Sequence, residues 1–194
     1  MTAPDETPRE HAIPPTRDHE PHCPPERTTM NAVTDVLTPP AIGQPFAGGI
    51  FAGHFFLAEQ PYALVLSPKD HGEIEEIAWN KSRKRVADAL AYADGLRNTE
   101  AMAAAGSALA KRIRELSIDG CDDWYLPSRL EALLLFGELK GTPACDLEIN
   151  WYWTSTQYAG YDEYAWIQGF TYGTQDTTLK GYRCRARAVR RFPI

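Results

Sequence analysis

Trp151–Ile194 reads WYWTSTQYAGYDEYAWIQGFTYGTQDTTLKGYRCRARAVRRFPI. An aromatic opening gives way to polar, Tyr-rich and Gly-rich stretches, and an arginine-rich run closes the chain. From Tyr182 to Val189, Cys184, Ala186 and Ala188 alternate with Arg183, Arg185 and Arg187. A period of two predicts a half-buried strand. The arginines then fall on a solvent or polar side, paired with carboxylates or carbonyls. Ala165–Phe170 predicts another strand. Trp153, Trp166 and Phe170 read as core anchors, and Gly169 and Gly173 permit turns between them. The function is expected in this segment, with the rest of the chain holding it in place.

Immediately upstream, Asp122–Glu131 reads DDWYLPSRLE. Ser128 and Glu131 have the S-x-x-E spacing of a capping box, in which each side chain satisfies a backbone N–H at a helix start. The helix is expected over Arg129–Leu139, with Leu130, Leu133, Leu134 and Phe136 turned inward. The capping role accounts for Glu131, so Asp122, Asp123 and Glu131 are not read as a calcium or acid–base site. A further helix is expected over Glu100–Leu116. Asn98 or Thr99 would cap it, Met102, Leu109, Ile113 and Leu116 would face inward, and Gly106 would be a weak point. Asp94-Gly95 reads as a turn.

The folded part is expected to begin near Ile42. Ile42–Phe51 suggests a first strand with a bend or bulge at its glycines. His54–Leu57 and Tyr62–Ser67 read as a hairpin joined by Ala58–Pro61. Glu73–Trp79 is an acidic stretch ending in one apolar anchor. Lys81–Arg85 is basic and reads as a solvated loop.

The chain has 194 residues and a net charge of −6. That is enough for one domain of ordinary size, and the acidity argues against nucleic acid as the main partner. Residues 1–40 are rich in Pro, Thr and charge, and read as a disordered or extended arm that could dock onto a larger assembly. His11, His19, His22 and Cys23 lie in it as solvated tail residues, without zinc spacing. Met30 offers a second possible start. Of the four cysteines, Cys23, Cys121, Cys145 and Cys184, none forms a CxxC pair, and free thiols are expected, with a Cys121–Cys145 bridge as the alternative. No secretory signal and no membrane-length apolar run is apparent. The expectation is a soluble protein, cytoplasmic or virion-associated, with no membrane insertion.

The order DDWYLPSRLEALLLFGEL, YWTSTQY, AWIQGF, GTQ, LKGYRCR and RAVRRF resembles the Lcl C-terminal-type domain, common in bacterial and phage proteins. Upstream, IGQPFAGGIF, YALVLSPK and DGLRNTEAM resemble its phage branch, so the likeness covers about residues 42–192. It implies an α+β, C-type-lectin-like fold of the formylglycine-generating-enzyme-like branch. Two helices would pack on antiparallel sheets with long irregular loops, and N- and C-terminal strands would pair. The Glu-Pro-Asn and Trp-Asn-Asp signatures of calcium lectins are absent, as are the paired cysteines of the formylglycine-generating site. No cofactor or metal is implied.

A subset of this branch supplies the variable proteins of diversity-generating retroelements. Likeness to it implies fixed anchors (Trp153, Ser155, Trp166, Phe170, Gly173, Arg187, Val189 and Arg190) among exchangeable residues. By position, the ligand-binding set is Gln157, Tyr158, Tyr161, Asp162, Tyr164, Gln168, Thr171, Tyr172, Thr174, Asp176, Thr177, Thr178 and Tyr182. Tyr gives rigid, amphipathic contact area at low entropy cost. The expectation is a display protein that binds a protein or glycan receptor. The alternative is a structural virion or tail-assembly module of a phage or prophage, attached through its arm. No Ser-His-Asp, Cys-His, metal or phosphate-loop pattern points to an enzyme.

Overall fold

The computed structural model describes residues 38–194. The expected arm and its His11, His19, His22 and Cys23 fall almost wholly outside that range. The first elements are β1 (Pro45–Phe46), β2 (Gly49–Leu57), β3 (Gln60–Leu66), α1 (Lys69–Gly72) and β4 (Glu73–Ala78). Next come α2 (Gly95–Ala104), α3 (Ala108–Arg114) and α4 (Arg129–Leu139). The chain closes with β5 (Trp151–Gln157), β6 (Tyr164–Gly169), β7 (Gln175–Leu179), β8 (Arg183–Arg187) and β9 (Val189–Pro193). The fold is therefore α+β, with sheets ordered β1-β2-β3-β9 and β4-β8-β5-β6-β7. All pairings are antiparallel except a parallel contact of β5 with β8 at Tyr152↔Arg185.

Ala47–Gly48 and Ala58–Glu59 each join two strands with both residues at positive φ. That backbone twist is the one short hairpins need. Where the sequence suggested one bent strand over Ile42–Phe51, the chain folds back on itself at Ala47–Gly48, and the bulge lies between Phe51 and Gly53. β9 pairs with β3 from Tyr62↔Pro193 to Leu66↔Val189. The last strand thus closes the sheet that the first hairpin opens.

The acidic stretch Glu73–Ala78 is a strand, which the sequence reading did not anticipate. It pairs with β8 through Glu73↔Arg187 and Ile74↔Ala186. Of its three glutamates, Glu73 pairs closely with Arg185 and Arg187, while Glu75 and Glu76 are exposed. The arginine run is also two strands, β8 and β9, broken at Ala188, whose N–H and C=O bond to Gly72 and Ser67. Arg183 lies on the expected solvent side, and Arg185 and Arg187 take the expected carboxylate and carbonyl partners, though Arg187 and Arg190 are buried at 2% and 0% exposure. Arg187 meets Asp146 at 2.6 Å, Glu73 at 2.8 Å and the Ser67 carbonyl at 2.9 Å. Glu73 also accepts from Arg185 at 2.7 Å. Arg190 Nη2 donates to Asp123 at 3.0 Å. Burial of an arginine is tolerable only with such neutralisation.

The expected helix over Glu100–Leu116 is two helices. α2 begins earlier, because Asp94 accepts from the Arg97 N–H at 3.1 Å and acts as the cap. Asn98 and Thr99 instead lie buried inside α2. There Thr99 Oγ1 accepts from Leu126 N at 3.0 Å, and Asn98 bonds to Ala91 through both its amide groups. Gly106, at φ +84°, breaks the helix. Ser107 caps α3 through Ala110 N and donates to the Trp79 carbonyl at 2.5 Å.

α4 has the expected bounds and the expected capping box. Its fully buried face is Glu131, Ala132, Leu135 and Leu139; of the expected stripe, Leu134 and Phe136 pack half-buried against the core, while Leu133 is 39% exposed. This orientation follows from Glu131. Its carboxylate accepts from Ser128 N at 2.7 Å, Tyr125 OH at 2.6 Å and Gly95 N at 3.1 Å, which pulls that face inward. Burial holds the Glu131 carboxyl above the usual carboxylate range, against the lowering effect of these donors.

Two cores result. Trp79, Trp124 and Trp153 pack with Met102, Leu109 and Ile113 on the α2–α3 side. Leu64, Leu66, Tyr125, Leu135, Tyr152 and Phe170 pack beneath α4. Each large apolar side chain so buried contributes about 1.5–3 kcal/mol. Cys145 and Cys184 are free thiols, so a Cys121–Cys145 bridge is not formed, whereas Cys121, expected as a free thiol, is disulfide-bonded. No helix among the described residues is long and apolar enough to cross a membrane.

Candidate ligand-binding surface

The exposed part of the C-terminal segment rests on a buried polar frame. Gln157, at the end of β5, is 1% exposed. Its Oε1 accepts from Val86 N at 2.7 Å and from Lys180 Nζ at 2.6 Å. Lys180 is fully buried, donates to the Lys84 carbonyl at 2.9 Å and lies 4.7 Å from the centre of the Trp79 ring. Burial pushes its pKa down to about 8. Gln168 is also fully buried, and its amide reaches the Gly169 carbonyl and the Gln175 side chain at 3.0 Å. Two positions of the expected ligand-binding set, Gln157 and Gln168, therefore do not reach the surface. The Gln157 Oε1 and the Gln168 amide are engaged by the frame.

Above the frame, β6 alternates. Ala165 and Ile167 face the core, while Tyr164, Trp166 and Gln168 face the α4 side, opposite Leu179, Thr177 and Gln175 of β7. The β5–β6 connection folds over that face. Tyr158 meets Trp166 edge-on at 5.5 Å between ring centres, Tyr161 lies 6.0 Å from Tyr158, and Tyr164 lies 6.0 Å from Tyr161. Three expected residues thus form a chain of rings that reaches Trp166 through Tyr158, with Tyr161 66% exposed. Thr177 stands opposite Trp166 on the same face. Asp162, exposed beside Tyr161, pairs with Arg85 at 3.1 Å. Arg129, the first residue of α4, lies 3.4 Å from the Trp166 ring centre and 5.2 Å from that of Tyr92.

Thr171, Tyr172 and Thr174 lie apart from this cluster. With Ile149, Asn150, Trp151 and Gly169 they line a pocket of about 260 Å³. Tyr172 is 83% and Ile149 76% exposed. Gly173 is needed in this loop, since it holds φ +73° and a Cβ there would enter the Phe136 ring. Asp176 and Thr178 pair with Ile167 and Ala165, so they lie on the reverse face of β7. Tyr182 is exposed in the β7–β8 turn. The expected set is therefore split between an aromatic cluster, a pocket, the reverse of an edge strand and a buried frame.

A larger concavity of about 640 Å³ is lined by Lys69, Asp70, Glu73, Glu75 and Asp146 with Ile50 and Pro68. Glu73 and Asp146 are neutralised there by Arg187. Among the described residues no group of three His, Cys, Asp or Glu is placed to hold a metal ion. Sequence reasoning missed Arg129, Tyr92, Trp151, Ile149 and Gln175. Arg129 follows a capping box, which signals only a helix start. The other four become neighbours of the site through pairing that no local pattern displays.

No curated protein matches the chain. The model of the Lcl C-terminal domain matches residues 72–190, from the end of α1 into β9, and includes the whole surface described above. That match spans more than half of the sequence and agrees with the motif order, so the chain belongs to the Lcl C-terminal domain family.

Proposed function

We propose that the chain is a ligand-display protein that binds a protein or glycan receptor through its C-terminal loops. The observation that carries this reading is the chain of rings Tyr164, Tyr161, Tyr158 and Trp166 at the surface, above a frame held by buried Gln157, Gln168 and Lys180. A rigid base with exposed aromatics is what a recognition surface requires. Tyr and Trp anchors carry a large share of binding energy in such surfaces. The finer fold we infer is C-type-lectin-like, of the formylglycine-generating-enzyme-like branch. The first hairpin sharing a sheet with the last strand, and helices packed beside a second sheet that carries the loops, support that inference.

We further infer use as the variable protein of a diversity-generating retroelement, with residues such as Tyr161, Asp162, Tyr172, Thr174 and Tyr182 exchangeable. A reverse transcriptase gene and a near-copy of the 3′ coding region beside this gene are the expected companions. Tail or capsid genes alone would point to an assembly module instead. The binding test is to replace Tyr158, Tyr161 and Tyr164 by Ala together, verify folding by circular dichroism, and measure attachment to candidate host cells. A loss on the order of 10-fold or more is expected for truncated aromatic anchors. Unchanged attachment by a folded variant would reject the display reading.

A further inference from the structure

Arg129 and Arg114 are half-buried arginines that meet no carboxylate among the described residues, and Arg114 gives its Nη1 to the Trp124 carbonyl at 2.9 Å. Arg185, Arg187, Arg190 and Arg191 each meet a carboxylate within 3.0 Å. Burial lowers the Arg129 pKa, with the Tyr92 phenol acting weakly in the other direction. Arg129 is nonetheless held firmly. Trp166 and Tyr92 flank its guanidinium, Nε donates to Gln175 Oε1 at 3.0 Å, and Gln175 Nε2 returns a bond to the Arg129 carbonyl at 2.8 Å. The helix start is not what waits for a ligand. Arg129 N donates to Thr156 at 3.2 Å, and Leu130 N to the Tyr92 carbonyl at 3.0 Å.

Gln175 belongs to β7, the open edge of its sheet. The Thr174 carbonyl and Lys180 N–H face inward, to Gly169 and Glu163. By alternation, the N–H and C=O groups of Gln175 and Thr177 face outward. Among the described residues only the Thr177 N–H of these is covered, by the exposed Asp176 carboxylate at 2.7 Å. The edge has no Pro or Lys, residues that commonly blunt such edges. A strand added there would lay alternate side chains on the face that holds Thr177, Gln175 and Arg129.

We propose that β7 accepts an extended segment of a partner protein as an added strand, and that Arg129 pairs with a carboxylate side chain of that segment. The inference rests on the display reading and specifies the partner as an acidic, extended peptide. Main-chain bonds to Gln175 and Thr177 supply docking, and the planar guanidinium selects the acid. The Asp176 side chain releases the Thr177 N–H as the strand arrives.

The test is selection of a random dodecamer library on the full-length protein, followed by synthesis of the enriched peptides. Enrichment of Asp or Glu at one fixed position is expected. Arg129→Gln should weaken those peptides on the order of 10- to 100-fold, as for loss of hydrogen bonds to a charged group. Bound peptide should slow amide exchange at Gln175 and Thr177. If Arg129→Gln unfolds, Arg129→Lys replaces it and should still weaken binding, because an ammonium lacks the fork. No enriched peptide, no acidic preference, unchanged affinity in the variant, or unprotected β7 amides would each overturn the proposal. So would a concentration-dependent dimer that protects the same amides without peptide. If cell attachment depends on Tyr158, Tyr161 and Tyr164 but not on Arg129 or β7, the display reading stands and this inference falls. If neither set matters, both fall.

Discussion

Glu131 shows how much one side chain decides. It closes the capping box of α4, anchors the start of α2 through Gly95 N, and takes the Tyr125 hydroxyl. Gly95 is obligatory at this junction, since a Cβ there would enter the Glu131 carboxylate and the Leu126 carbonyl. Glu131→Ala strands several buried donors and is expected to cost about 2–4 kcal/mol in urea unfolding, in line with about 1–3 kcal/mol for each unsatisfied buried group. Arg187→Met leaves Glu73 and Asp146 facing each other without their shared cation. It is expected to cost about 3–5 kcal/mol, measured the same way. A variant within about 0.5 kcal/mol of wild type, the ordinary range for surface changes, would contradict either assignment.

At the level of elements, much was legible. The capping box gave the bounds of α4 because its signal is local and chemical. Alternation in the arginine run gave strand character for the same reason. The face of α4 was legible only in part, through Leu134 and Phe136, because Leu130 and Leu133 compete for the interior with a glutamate whose partners lie elsewhere in the chain. β4 was hidden because EIEEIA looks solvated until the arginines of β8 stand opposite it. Asn98 and Thr99 resemble caps by type, yet Asp94 takes that role and frees them for buried bonds with Ala91 and Leu126. The site was legible in part. The Tyr158–Tyr161–Tyr164 run was visible as composition, whereas the burial of Gln157 and Gln168 and the place of Arg129 depend on contacts between distant segments. Asp94 also pairs with Arg191 at 2.8 Å, so Asp94→Ala should cost about 1–2 kcal/mol. Its thermal midpoint, compared with that of Ser107→Ala, checks whether the α2 cap matters as much as the α3 cap.

The whole molecule has a pH dependence set by buried groups. Lys180 falls from 10.5 to about 8 on folding. Between those values the unfolded chain holds a proton that the folded chain has released, so stability rises with pH across that window. Burial raises Tyr125 and Tyr152 above their ordinary value of 10.0. Above that pH the unfolded chain loses phenolic protons that the fold retains, and stability falls. Urea unfolding from pH 7 to 11 should therefore rise and then turn down, and Lys180→Met should flatten the rising limb.

The central claim is that Trp151–Ile194 separates into a fixed frame and an exchangeable recognition surface. A saturation scan of residues 151–194, scored by yield of folded protein, tests it most directly. Broad tolerance is expected at Tyr161, Asp162, Tyr172, Thr174, Asp176 and Tyr182, and intolerance at Trp153, Gln157, Gln168, Lys180, Arg187 and Arg190. Exposed tyrosines as intolerant as the buried frame would contradict it.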